Sequence, residues 1–90
     1  NEPRTILPGP MDEATRRERI AGAEAVAIMK VGRHLPKIKA VIDDLGLTDH
    51  ATYVERATLP EQIVTPLRDA PEKAPYFSMI LLTKGADPWL

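Results

Sequence analysis

The sequence predicts a mixed α/β layer: a four- to five-stranded sheet packed with two main helices. Three observations carry this expectation. Residues 25–29 and 76–82 are short, continuous apolar runs of strand composition. Leu35, Ile38, Val41, Ile42 and Leu45 repeat at the spacing of one helical face. Of nine prolines in 90 residues, about twice the usual share, eight fall outside these stretches and Pro36 sits in the first turn of the helix.

Taken in order, residues 1–10 hold Pro3, Pro8, Gly9 and Pro10 and read as an extended linker. Asp12 is a helix cap, and Glu13 sits where the helix dipole favours a carboxylate. Residues 14–20 are strongly polar, so this is expected to be a surface helix ending near Gly22. Residues 25–29 (Ala-Val-Ala-Ile-Met) read as a strand buried on both faces, and residues 30–32 turn the chain out of the sheet. The second helix starts around Pro36, which is tolerated in a first turn, and Gly46 closes it. Residues 52–56 and 62–65 are further strands, the latter stopped by Pro66, with one helical turn over 67–70. Residues 71–75 form a loop, 76–82 the second buried strand, and 85–90 a tail. Tyr53 and Phe77 are expected to be buried aromatic strand residues. These elements make a four-stranded sheet, with a fifth strand expected from elsewhere.

Composition excludes several classes of function. Twelve Lys and Arg against 13 Asp and Glu leave a net charge of −1, which argues against binding nucleic acid by bulk charge. No apolar run approaches the ~20 residues that span a bilayer. There is no Cys, so disulfides and thiolate zinc sites are excluded. That absence fits a reducing compartment, and a cytoplasmic setting is expected. The first residue is Asn and no signal segment follows it, so the chain is expected to begin inside a longer protein.

The second helix has its charges reversed. Arg33, Lys37 and Lys39 crowd its N-terminal end, and Asp43 and Asp44 its C-terminal end. Each such placement costs about 0.3–1 kcal/mol on an exposed surface. A Lys39–Asp43 pair, four residues apart, is expected to offset part of this. One reading is an anion-binding lip made of Lys30, Arg33, His34 and Lys37; the alternative is a solvated basic face. His34 and His50 lack further ligands at metal-binding spacing, so no metal is expected. Ser78, the only serine, lies in an apolar run without the Gly-flanked turn that exposes a nucleophile. Glu55 and Arg56 are expected to form an ion pair of structural role.

Three stretches resemble the tetrapyrrole methylases, which methylate porphyrin-like rings using S-adenosylmethionine. Residues 25–38 (AVAIMKVGRHLPKI) resemble that family's strand–turn–helix around an adenine-contacting methionine. Residues 55–62 (ERATLPEQ) resemble its Glu-Asn-Gly-Thr-x-Pro-x-Gln segment, with Arg56 and Ala57 replacing Asn and Gly. Residues 74–82 (APYFSMILL) resemble its last strand, entered through Pro75. The resemblance implies a C-terminal lobe over residues 11–90, joined by an interlobe linker at 1–10 to an N-terminal lobe outside this chain. It implies S-adenosylmethionine shared between the lobes, with Met29 or Lys30, then Ala57 and Thr58, then Pro75, Tyr76 and Phe77 on the adenine side. It further implies a carboxylate-rich tetrapyrrole substrate of the precorrin type, a homodimer, and no activity of the lobe alone. With that resemblance, Arg33, His34 and Lys37 become candidates to meet a substrate carboxylate. A methylase acting at another ring position, or a non-catalytic dimerisation lobe, are the alternatives.

Overall fold

The computed structural model describes residues 4–85. Its elements are β1 (Arg4–Pro8), α1 (Glu13–Gly22), β2 (Ala25–Met29), α2 (Leu35–Asp44), β3 (Ala51–Glu55), β4 (Ile63–Pro66) and β5 (Met79–Thr83). Short 3₁₀ turns cover Gly32–His34, Thr48–His50 and Leu67–Asp69. The strands form one sheet in the order β1-β2-β5-β3-β4. β1 and β2 are parallel, and β5 runs antiparallel to both β2 and β3. The carboxyl ends of β1, β2 and β3 and the amino end of β5 therefore share one edge.

Alternation along the strands decides what is buried. Leu7, Val26, Ile28, Tyr53, Ile80 and Leu82 face the two helices and join Ile20, Leu35, Ile38, Val41 and Ile42 in one core. The register stacks them directly, with Leu7 beside Ile28, Ile28 beside Ile80 and Ile80 beside Tyr53. Leu35, Ile38, Val41 and Ile42 are all buried, as their helical spacing requires. The opposite sheet face carries no helix among the described residues. Ile6 on that face is 71% exposed and Val64 58%.

The local signals for both helices hold. The Asp12 carboxylate accepts from the Thr15 N–H and hydroxyl, both at 3.0 Å. These bonds, the backbone one foremost, hold its carboxyl below the usual range. Gly46, at φ 73°, closes α2, and the following Leu47 N–H donates to Ile42 O. The reversed charges of α2 find partners off the helix. Asp44 pairs with Arg17 of α1, and Asp43 accepts from the Thr48 hydroxyl at 3.1 Å rather than pairing with Lys39.

Three expectations are corrected. The fifth strand comes from within the chain, because residues 4–8 of the segment read as a linker pair along β2. Thr5, Ile6 and Leu7 are a β-branched and apolar run, and a proline at the end of an edge strand removes no needed ladder bond. The last strand starts at Met79, not Tyr76. Phe77 is consequently 74% exposed instead of buried. Pro75 supplies no N–H, and its carbonyl accepts from the Ser78 N–H, which closes a turn where strand was expected. The tail expected over 85–90 lies, beyond Gly85, outside the described residues.

Gly9 is the tightest point between β1 and β2. Its N–H donates to Met29 O at 2.7 Å, and a Cβ there would lie 2.3 Å from Lys30 O. Gly9→Ala is expected to cost about 1–3 kcal/mol, as overpacking against backbone does. Gly22→Ala, with open space around it, should be neutral or mildly stabilising. Urea unfolding of both variants checks this, and equal midpoints for the two would contradict the close approach.

Candidate functional site

The three stretches that the sequence singled out end at the same edge of the sheet. β2 leads into residues 30–32, β3 into residues 56–58, and residues 75–78 lead into β5. Open α/β sheets bind ligands at the carboxyl ends of their strands, where loops diverge and main-chain groups are free of the ladder. Here the 30–32 and 75–78 turns are bonded together: Val31 N–H donates to Ser78 O at 3.0 Å, and Gly32 N–H to the Ser78 hydroxyl at 3.3 Å. Gly32 has φ 41°, and a Cβ on it would stand 3.1 Å from Tyr76 Cα. The third loop adjoins them through the pairing of Val54 with Met79.

Backbone strain concentrates in the same place. Among the described residues, Lys30, Arg56 and Thr58 are the non-glycine residues with positive φ, at 55°, 55° and 69°. Left-handed backbone costs a side-chain-bearing residue roughly 1–2 kcal/mol, and such strain tends to gather at functional sites. Thr58 is held by a 2.8 Å bond from its N–H to the Gln62 side-chain oxygen. That bond gives the Gln of the 55–62 stretch a structural task.

Side chains at this edge are apolar and exposed. Met29 is partly exposed, and Tyr76 and Phe77 stand out in an edge-to-face pair with centroids 4.8 Å apart. Ala57 lines a different hollow, on the uncovered sheet face, with Val54, Val64 and Met79. Arg33 and His34 line a recess of about 420 Å³ with Pro10, Gly32, Ala74 and Tyr76. Lys37 does not join them there; it lines the groove between α1 and α2 with Glu13, Arg17 and Asp44. The candidate anion-binding trio is thus split, two residues at the edge and one on the helix side.

Sequence reasoning missed two features of this edge. Arg16, read as part of a polar surface helix, is only 2% exposed. Its Nη2 donates to Gly9 O at 2.7 Å and Met11 O at 2.9 Å, while its Nε has no partner. A buried guanidinium in this place clamps the turn after β1. It also adds to the field on His34, whose imidazole pKa is lowered by burial first and then by Arg33, Arg16 and Lys37. Helical periodicity hints at it, since Arg16 lies four residues before the buried Ile20. The second feature is a buried polar chain. Tyr53 donates from its hydroxyl to Glu55 Oε1 at 2.8 Å, and Glu55 Oε2 lies 3.6 Å from Arg56 Nη1. The expected Glu55–Arg56 pair is therefore present, with Tyr53 behind it. No group of His, Asp or Glu able to hold a metal occurs among the described residues.

No family model matches the chain. Over 84 residues it is 47% identical to the precorrin-2 C(20)-methyltransferase of a Sinorhizobium species, taking in 92% of this chain and 34% of that protein. Over 84 residues it is 39% identical to the cobalamin biosynthesis protein CobIJ of Mycobacterium bovis and of Mycobacterium tuberculosis, covering 90% of this chain and 16% of theirs. The chain spans about a third or less of the length of these curated relatives. Relatives with these names, covering nearly all of the chain, bear out its resemblance to the tetrapyrrole methylases.

Burial, then the Glu55 hydrogen bond and charge, push the Tyr53 phenol up to about 12, with Ser78 and Arg56 acting the other way. The folded state holds that proton more tightly than the unfolded chain, whose phenol titrates near 10.0. The stability so contributed is complete below pH 10 and lost as pH rises toward 12. Tyr53→Phe is expected to cost about 1–3 kcal/mol at neutral pH, because Glu55 loses its donor. The gap to wild type should narrow between pH 10 and 12. Thermal melts across that range check it, and a constant gap would contradict the buried phenol.

Proposed function

We propose that this chain, 47% identical over 84 residues to part of a precorrin-2 C(20)-methyltransferase, is the C-terminal lobe of such an enzyme of the tetrapyrrole methylase kind. The lobe comprises residues 11–90 together with β1, and an N-terminal lobe completes the cleft. In this reading the enzyme is S-adenosylmethionine-dependent and cytoplasmic, serves cobalamin biosynthesis and works as a homodimer. The observation that carries the proposal is convergence: three stretches, each resembling the family separately, meet at one sheet edge, and the positive-φ residues gather there.

The residues at this edge suit a nucleoside. Met29, Tyr76 and Phe77 offer apolar cover for a purine face. The turns at Lys30, at Ala57 and Thr58, and at Pro75 offer main-chain groups for its edge, and such sites depend on a few well-placed polar groups within apolar walls. The cofactor supplies a methyl group already activated on a sulfonium. The work left to this lobe is to hold the adenosyl part so that the methyl carbon stands in line with the ring carbon, at about 3–3.5 Å. Arg33 and His34, beside the recess, meet a carboxylate of the tetrapyrrole, with Lys37 and the buried Arg16 adding to the positive field. His34, whose imidazole pKa is lowered by burial first and then by its cationic neighbours, donates to that carboxylate through a ring nitrogen.

Calorimetry with S-adenosylhomocysteine tests the shared cleft. Clear binding by the full-length protein and weak or undetectable binding by this chain are expected; tight binding by this chain alone would contradict it. Arg33→Glu combined with Lys37→Glu in the full-length protein should raise the Michaelis constant for the tetrapyrrole about tenfold and flatten its salt dependence. If both stay unchanged, these side chains have no part in holding the substrate.

A further inference from the structure

Ser78 is the chain's only serine and is fully buried. A buried hydroxyl at the mouth of an apolar strand needs partners, and it finds them on two different loops. Its oxygen accepts from Gly32 N–H at 3.3 Å, and its hydrogen goes to Pro75 O at 2.8 Å. Its own backbone carbonyl takes the neighbouring Val31 N–H. Every one of these contacts joins the 30–32 turn to the 75–78 turn or braces one of them. Gly32 lets the two backbones come together where a Cβ would press on Tyr76 Cα. Behind Ser78 lies the third loop. Val54 pairs with Met79, which sets the end of β3 beside the entry to β5. The buried Tyr53 bonds to Glu55, whose carboxylate lies 3.6 Å from the guanidinium of Arg56, a residue with left-handed backbone.

We propose that Ser78, backed by Tyr53 and Glu55, is a positioning clasp that sets the separation of the three loops at this edge and thereby the affinity for the adenosyl part of the cofactor. The clasp touches no ligand itself. A hydroxyl serving stability alone has no need of strained neighbours, whereas Lys30 and Gly32, both at positive φ, lie at the turn it ties to residues 75–78, and Arg56 at positive φ follows the strand paired with β5. With the two turns held at one spacing, the exposed Tyr76 and Phe77 before Ser78 have less freedom to lose on binding, which is how preorganisation raises affinity. The proposal rests on reading this edge as a nucleoside site.

The test uses the full-length protein with Ser78→Ala, Tyr53→Phe and a core control on the same strand, Ile80→Val. Melting temperature, S-adenosylhomocysteine affinity by calorimetry and the Michaelis constants for both substrates are measured. Ser78→Ala should weaken S-adenosylhomocysteine binding about tenfold, the scale of one buried hydrogen bond lost. It should raise the Michaelis constant for S-adenosylmethionine and leave that for the tetrapyrrole within twofold. Tyr53→Phe should move the same quantities the same way by a smaller factor, and Ile80→Val should lower the melting temperature while binding as wild type. Ser78→Ala binding within twofold of wild type overturns the clasp, as does Ile80→Val losing affinity in step with its melting temperature. Should Ser78→Ala fail to fold, Tyr53→Phe decides, and wild-type affinity in it overturns the clasp. Wild-type protein that binds no S-adenosylhomocysteine overturns the nucleoside reading and the clasp with it; binding by wild type with no effect of the variants overturns the clasp alone.

Discussion

Two turns in backbone contact organise this molecule. The chain leaves β2 through Gly32 and re-enters the sheet through Ser78, and the two turns approach until only a hydrogen fits between Gly32 Cα and Tyr76. The contact follows from strand order. β5 is inserted between β2 and β3, so its entry must pass over the exit of β2. Once that crossing is made with hydrogen bonds rather than side-chain packing, the aromatic residues before Ser78 are left pointing outward. An exposed Tyr–Phe pair at a sheet edge is a costly way to end a strand unless something covers it, and the proposed nucleoside is of the right character to do so.

Electrostatics at the same edge follows from burial as much as from sequence position. The guanidinium of Arg16 is enclosed with two carbonyls as its acceptors, and its influence reaches His34 through protein rather than water. The acidic end of α2 is spoken for by Arg17 and Thr48. The positive end, with Arg33 and His34 beside an open recess, makes no side-chain ion pair among the described residues. The reversed helix charges thus separate into two cases. The carboxylates serve tertiary contacts, while Arg33 and His34 line the recess at the edge and Lys37 the groove between the helices.

The uncovered sheet face completes the picture of a unit made to be covered. All the large core residues of the strands turn toward the two helices, and the other face still carries Ile6, Val64, Met79 and Leu81. β2 turns Ala25 and Ala27 to that face, and both are small and buried by their neighbours. That economy of side-chain size also explains why the strand reads as continuously apolar. Turns bonded together at one edge and an apolar face left bare at the back both fit the proposed lobe, which would work next to further protein.

Sequence alone determined the regular elements, the helix-facing core and the three stretches of site character. The elements and the core depend on local propensity or on a period of 2 or 3.6, which a linear chain displays directly, whereas the three stretches stand out by their resemblance to the tetrapyrrole methylases. It misjudged β1, where three prolines and a glycine outweighed a short apolar run, and it buried Phe77 because an apolar composition does not say where a turn falls. It gave no sign of the Tyr53–Glu55 bond inside β3, nor of the bond that joins Ser78 to Gly32 from 46 residues away. Tertiary structure decided which residues of the separate stretches share an edge, that Lys37 leaves Arg33 and His34, and that Arg16 lies inside. The physical reason is common to all of them: burial and hydrogen-bond partnership depend on distances between elements, and those are set by strand order and close backbone approach.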